Sequence, residues 1–289
     1  MSEQDKPASP NWERSVLEKL ALSAIQEQRR SRHWSILFKT LGFLYLFIVL
    51  FLAAGWFGSD GVSIKEHTAL VDLQGVIASD QASADSVIAS LQGAFEDKKT
   101  KGVILRINSP GGSPVQAGQI YDEIRRLRAL HPKIPLYAVV DDICASGGYY
   151  VAVGADKIFV DKASIVGSIG VLMDGFGFTQ TMQKLGVERR LLTAGENKGF
   201  LDPFSPVDPK QAAFAKQMLE EIHGQFIGVV REGRGKRLQE TPEMFSGLVW
   251  SGEKSIQLGL ADALGNVESV ARDVIKAEDI VDYTQREGL

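Results

Sequence analysis

The sequence predicts an α/β domain behind one membrane-spanning helix. Two observations predict it: an unbroken apolar run near the amino end, then short β-branched runs alternating with amphipathic helical stretches. At 289 residues and 44% hydrophobic, the chain can bury one large core or two small ones.

Residues 1–35 are polar and charged, and Val16, Leu17, Leu20, Leu22 and Ile25 suggest a short amphipathic helix within a cytoplasmic tail. Ile36 to Phe57 follows as the expected transmembrane anchor, with Lys39 and Thr40 near its start. Trp34 and Trp56 stand 22 residues apart, roughly 33 Å along a helix, where interfacial tryptophans belong. Arg29, Arg30, Arg32 and Lys39 lie on the amino side; Asp60, Lys65 and Glu66 follow the run without a comparable cluster. Positive charge stays inside, so everything after Phe57 is expected outside the cytoplasm. Ala53-Ala54-Gly55 admits a cleavable signal peptide as a competing reading, although the polar head is long for one. A buried core helix is a further alternative.

A linker over 58–68 leads into a domain over 69–276. Expected strands are Ala69–Leu73, Gly102–Ile107, Leu136–Val140, Lys157–Val160 and Gly170–Leu172. Val87, Ile88, Leu91 and Phe95 share a face of the first helix between them. Ile120, Ile124, Leu127 and Leu130 line the second, with Ser113 as N-cap and Pro114 at the first helical position. A longer helix over Pro209 to Arg231 carries Phe214, Met218, Ile222 and Phe226 at four-residue spacing, and a last one covers Val267 to Lys276. The tail, 277–289, has no strong signal.

Composition excludes several functions. A net charge of −4 gives nucleic acid no basic footprint. The single cysteine, Cys144, excludes an intrachain disulfide and a multi-thiolate zinc site, and reads as a small apolar filler. No cofactor or metal is expected.

Chemistry is expected at two glycine-rich turns that follow strands and open helices. These are Asn108-Ser109-Pro110-Gly111-Gly112 and Ala145-Ser146-Gly147-Gly148. Glycine permits sharp turns and close approach, and a helix amino terminus presents free N–H groups, the parts of an oxyanion hole. Ser146 is placed either as a nucleophile or as a helix cap, and spacing alone leaves both open. Neither turn has the ending of a P-loop or a dinucleotide fingerprint, which weakens a phosphate-binding reading.

A serine nucleophile needs a base. His33 borders the membrane run, His67 lies in the linker, His131 precedes Pro132, and His223 lies in the long helix beside Ile222; none sits in a triad-like motif. A lysine serves only when burial removes its charge. Among Lys157, Lys162, Lys184 and Lys198, the last leads modestly, because Gly195 and Gly199 flank it.

These motifs, with Gly167-Ser168-Ile169-Gly170-Val171 and Gly247-Leu248-Val249-Trp250-Ser251-Gly252 before Gly259-Leu260-Ala261-Asp262, resemble the signal peptide peptidase family of Ser-Lys peptidases, over residues 69–270. The resemblance implies a Clp/crotonase-like ββα spiral and a short, single-repeat form that assembles from identical subunits. It places the nucleophile at Ser146 and the base at Lys198, 52 residues downstream. It further implies an oxyanion hole from the N–H groups of Gly112 and Gly147, and Ser168 bonded to the lysine amine. Expected substrates are signal peptide remnants and other unfolded apolar peptides, met at a bacterial inner membrane. A crotonase-like acyl-CoA enzyme and an inactive membrane scaffold are the alternatives; outward orientation opposes the first.

Overall fold

The computed structural model describes residues 11–53 and 65–285. The chain divides into two compact units, residues 1–62 and 63–289. Among its described residues the first is one helix, α1 (Asn11–Ala53). Within it Arg32–Phe51 has a mean hydropathy of 2.0 over 20 residues, about 30 Å, long and apolar enough to cross a bilayer. Phe43 is 77% exposed and Phe47 66%. The helix is continuous through the segment expected as a separate amphipathic helix. Trp34 stacks on Phe38, whereas Trp56 lies outside the described residues.

The second unit is a mixed α/β domain. Its elements run β1 (His67–Gln74), α2 (Ala84–Glu96), β2 (Thr100–Ser109), α3 (Pro114–Leu130), β3 (Leu136–Ala145), α4 (Gly147–Ala152), β4 (Lys157–Val160) and β5 (Ile165–Gly167). There follow α5 (Thr179–Leu185), α6 (Pro209–Arg234), β6 (Val249–Ser251), α7 (Gly252–Gln257), β7 (Ala263–Leu264), α8 (Val267–Ser269), a π-helical turn over Val270–Ile275, and β8 (Ile280–Asp282).

The sheet order is β6-β5-β3-β2-β1-β8, and every pairing on this path is parallel except β5 with β6. β3 serves two partners along its length: residues 137–139 pair with β4, which continues to β7, and residues 143–145 pair with β5. The sheet therefore divides at the end of β3 that leads into α4. Period-two alternation sends side chains to two cores. Ala69, Val71 and Leu73 of β1, with Val103, Leu105 and Ile107 of β2, face the larger core with Val87, Leu91, Ile120 and Ile124. Leu70, Ile104, Val139 and Phe159 face a smaller one closed by Val267, Val270 and Ala271.

Two expected core positions prove exposed. Leu130 ends α3 and is 60% exposed, and Phe214 is 62% exposed, edge-on to Phe200 near the start of α6. The expected strand over Gly170–Leu172 does not form; the strand is β5, a few residues earlier, and Leu172 is exposed. The stretch after residue 276 supplies β8, paired with β1.

The carboxyl end of α6 is tied to the domain by charge. Arg234 is 2% exposed; its Nε donates to the Gly259 carbonyl at 2.7 Å and its Nη1 to Asp262 Oδ2 at 2.8 Å. Asp262 also accepts from the Ile158 N–H and from Arg237. Burial pushes the Asp262 carboxyl up, but the Arg234 bond and charge, with the Ile158 N–H and Arg237, outweigh it and hold the group below the usual range. A carboxyl depressed by folding stabilises the fold at neutral pH, and that contribution is lost as pH falls through its folded value. Asp262→Asn leaves Arg234 buried and uncompensated, an expected cost of about 3–5 kcal/mol. Thermal melting at neutral and acidic pH checks this: the gap from the parent protein is large at neutral pH and narrows in acid.

Candidate active site

β3 delivers the chain to Ser146, which alone makes the turn into α4, at φ 52° and ψ −123°. A positive φ strains any residue with a Cβ by roughly 1–2 kcal/mol, so the surroundings must hold it. The Ser146 N–H donates to the Gly167 carbonyl at 2.9 Å, and the Ser146 carbonyl accepts from the Tyr150 N–H at 2.9 Å. Ser146 stands at the N-cap position, yet its hydroxyl makes no capping bond. The hydroxyl is left available.

Two amides lie beside it. The Ile77 N–H donates to the Gly111 carbonyl and the Ser113 N–H donates to the Ile77 carbonyl, both at 2.8 Å. In such a parallel bridge the intervening residue, Gly112, turns its own N–H away from Ile77. Gly147 is the first residue of α4, so its N–H has no intrahelical acceptor. A Cβ built on Gly147 would stand 3.2 Å from the Gly112 nitrogen, which makes the two amides neighbours. The turn tolerates nothing larger. Gly111 has φ 106° and a Cβ there would meet the Ser146 Cβ at 2.7 Å; Gly112 has φ 149° and its Cβ would run into the Ile77 backbone.

Ser146, Gly147, Gly112 and Ser168 line one cleft of about 560 Å³. Ser168 follows β5, also at φ 52°, with its N–H donating to the Leu248 carbonyl at 2.7 Å. Two of the sequence motifs are therefore one structure, since Val166 and Gly167 of β5 pair with Trp250 and Val249 of β6. The remaining wall is largely apolar: Tyr150, Val171, Leu172, Ile222 and Phe226. Tyr150 packs on Phe226 with ring centroids 5.1 Å apart, and burial raises its hydroxyl above the ordinary value, so it stays neutral at pH 7. Cys144, beneath the turn, is wholly buried, and burial pushes its thiol up and out of reactivity.

Lys198 is not in this cleft. It lies in a turn, with its N–H donating to the Gly195 carbonyl at 3.1 Å, and is exposed, as are Lys157, Lys162 and Lys184. Among the described residues no lysine, histidine or carboxylate lines the cleft. The other histidines are engaged elsewhere: His67 with Tyr283, His33 with the Arg29 carbonyl, and His131 against Phe95. His223, which sits in no triad-like motif, nonetheless comes close to the cleft. It borders cleft-lining Ile222 and its Nε2 is 3.1 Å from the Ile169 carbonyl. No local signal in α6 marks it, since only the tertiary fold brings residue 169 alongside.

The sheet that divides at β3, with Ser146 on its strand-to-helix turn, has the Clp-protease-like fold, and the Clp protease family model matches residues 65–165. The model of peptidase family S49 matches residues 128–280, and the chain belongs to that family. A Synechocystis relative, provisionally named a protease, is 32% identical over 206 residues, 71% of this chain and 72% of its own length. An Enterococcus faecium relative, provisionally named signal peptide peptidase SppA, is 29% identical over 78% of this chain and 67% of its own. A Brucella melitensis protein named Na(+)/H(+) antiporter NhaA is 46% identical over 190 residues, 66% of this chain. That match spans only 26% of the Brucella protein.

Proposed function

We propose that this protein is a membrane-anchored serine endopeptidase that degrades cleaved signal peptides and other unfolded apolar peptides with a Ser146–Lys198 dyad. The observation that carries the proposal is Ser146: a hydroxyl on a strained turn, uncapped, beside two free amides in an apolar cleft. In the first step neutral Lys198 takes the Ser146 Oγ proton, and Oγ attacks the peptide carbonyl. The oxyanion then lies between the N–H groups of Gly112 and Gly147. The protonated lysine returns its proton to the leaving amine, and water, activated by the same lysine, hydrolyses the acyl-enzyme. Ser168 holds the lysine amine.

A lysine base must be desolvated, and Lys198 is exposed in the single chain. Its surroundings also expose Leu192 (96%), Phe176 (77%) and Val207 (77%), apolar area that a lone chain leaves in water. Assembly of identical chains covers this arm and brings Lys198 of one copy to the Ser146 cleft of another. Membrane anchoring rests on the 20-residue apolar span and the arginines before it, which also favour a catalytic domain outside the cytoplasm of a bacterial inner membrane.

The test is hydrolysis of an unstructured apolar peptide by the full chain in detergent, with an acyl-CoA thioester in parallel. Peptide cleavage without thioester turnover is expected. Thioester turnover alone would replace the peptidase with an acyl-CoA enzyme, and neither reaction would leave an inactive scaffold.

A further inference from the structure

We propose that His223 is a positioning residue for the catalytic turn, acting through the loop 167–170. The inference rests on the peptidase reading of Ser146 and deepens it.

The loop is held at three consecutive residues. The Gly167 carbonyl accepts from the Ser146 N–H at 2.9 Å, the Ser168 N–H donates to the Leu248 carbonyl at 2.7 Å, and the Ile169 carbonyl faces His223 Nε2 at 3.1 Å. The first joins the loop to the nucleophile itself, the second to the edge of β6, and the third to α6. Only the third is a side-chain contact. His223 can donate from Nε2 as imidazolium or as one neutral tautomer, so the bond does not depend on the ring's charge.

The loop needs this third anchor because it is strained. Ser168 holds φ 52°, a conformation that residues with a Cβ leave when nothing fixes them. The buried Ile169 side chain fixes the loop's depth, but a carbonyl can still rotate about it. Ile169 sits between two residues of the cleft wall, Ser168 and Gly170, and strained Ser168 links it to the Gly167 carbonyl that accepts from the Ser146 amide, so a freed Ile169 peptide loosens that bond. The support on the far side is rigid, because α6 is secured by the buried Arg234–Asp262 pair and presents Ile222, Gln225 and Phe226 to the same cleft. His223 thus couples two walls of the cleft to the geometry of the nucleophile, without touching substrate.

Two variants separate this role from packing. His223→Leu retains apolar bulk and loses the donor; His223→Gln retains a donor on a side chain of similar reach. With the full chain in detergent and a fluorogenic apolar peptide, His223→Leu is expected to lower kcat about 10- to 100-fold, the scale of an ångström-sized misplacement. KM should change by less than about 3-fold and the melting temperature should fall by no more than about 2–4 °C, since one part-buried hydrogen bond contributes about 1 kcal/mol. His223→Gln should recover kcat to within about 5-fold of the parent. Hydrogen exchange provides a readout independent of activity: the Ser146 and Ser168 amides exchange faster in His223→Leu and at the parent rate in His223→Gln. Unchanged kcat and exchange in His223→Leu would overturn the proposal, as would a His223→Gln variant as impaired as His223→Leu. A parent protein that cleaves no peptide would refute the peptidase reading instead, and exchange at Ser146 and Ser168 would then decide the role of His223.

Discussion

Replacing Ser146 by alanine is expected to lower peptide hydrolysis by about 10⁴-fold or more, the scale on which removing a nucleophile acts. The protein should remain folded. The Ser146 hydroxyl caps nothing, and the bonds that hold the turn, to Gly167 and from Tyr150, are made by the backbone. Alanine carries the same Cβ at the same positive φ, so the strain does not change sign or scale. A melting temperature within about 2 °C of the parent corresponds to about 1 kcal/mol or less for a domain of this size. Hydrolysis of an apolar peptide and a thermal melt, run on the same preparation, read both quantities.

Replacing Lys198 by alanine is expected to cost about 10³- to 10⁴-fold in kcat, with a smaller change in KM. Its exposure in the single chain means that the fold itself loses nothing measurable, within about 0.5 kcal/mol. Lys198→Arg should not rescue activity, since a guanidinium stays protonated and cannot accept the serine proton. The proposed assembly adds a second signature. Chains carrying Ser146→Ala, co-expressed with chains carrying Lys198→Ala, should recover activity that neither has alone, because some clefts then receive an intact serine and an intact lysine from different copies. Full activity of Lys198→Ala would assign the base to another residue.

Much of the domain was legible because its strands are buried on both faces. Ala69–Leu73, Gly102–Ile107 and Leu136–Val140 fall inside β1, β2 and β3, where runs of β-branched residues have one reading, and Ser113-Pro114 marks the start of α3 as capping chemistry requires. Short elements were illegible for the same physical reason in reverse. β5 and β8 have three residues each and owe their existence to partners distant in sequence, Trp250 for Val166 and Leu70 for Asp282. Local pattern could not choose Ile165–Gly167 over Gly170–Leu172, because both are short apolar runs with a glycine. The site divided likewise. Glycine-rich spacing marked both strand-to-helix turns, since backbone geometry is written locally, whereas the pairing of the Gly112 and Gly147 amides came only with the family resemblance. A base is a matter of where a flexible side chain ends, and neither Lys198 nor the His223 contact with Ile169 has a local signature.

The central claim is an activated serine at the end of β3, and a fluorophosphonate probe tests it most directly. Incubated with the full chain in detergent and followed by peptide mass mapping, the probe should add to Ser146 and to no other serine, and Ser146→Ala should abolish labelling while the melt stays unchanged. An unlabelled Ser146 in folded protein that nonetheless hydrolyses peptide, or an adduct on a different serine, would contradict the account.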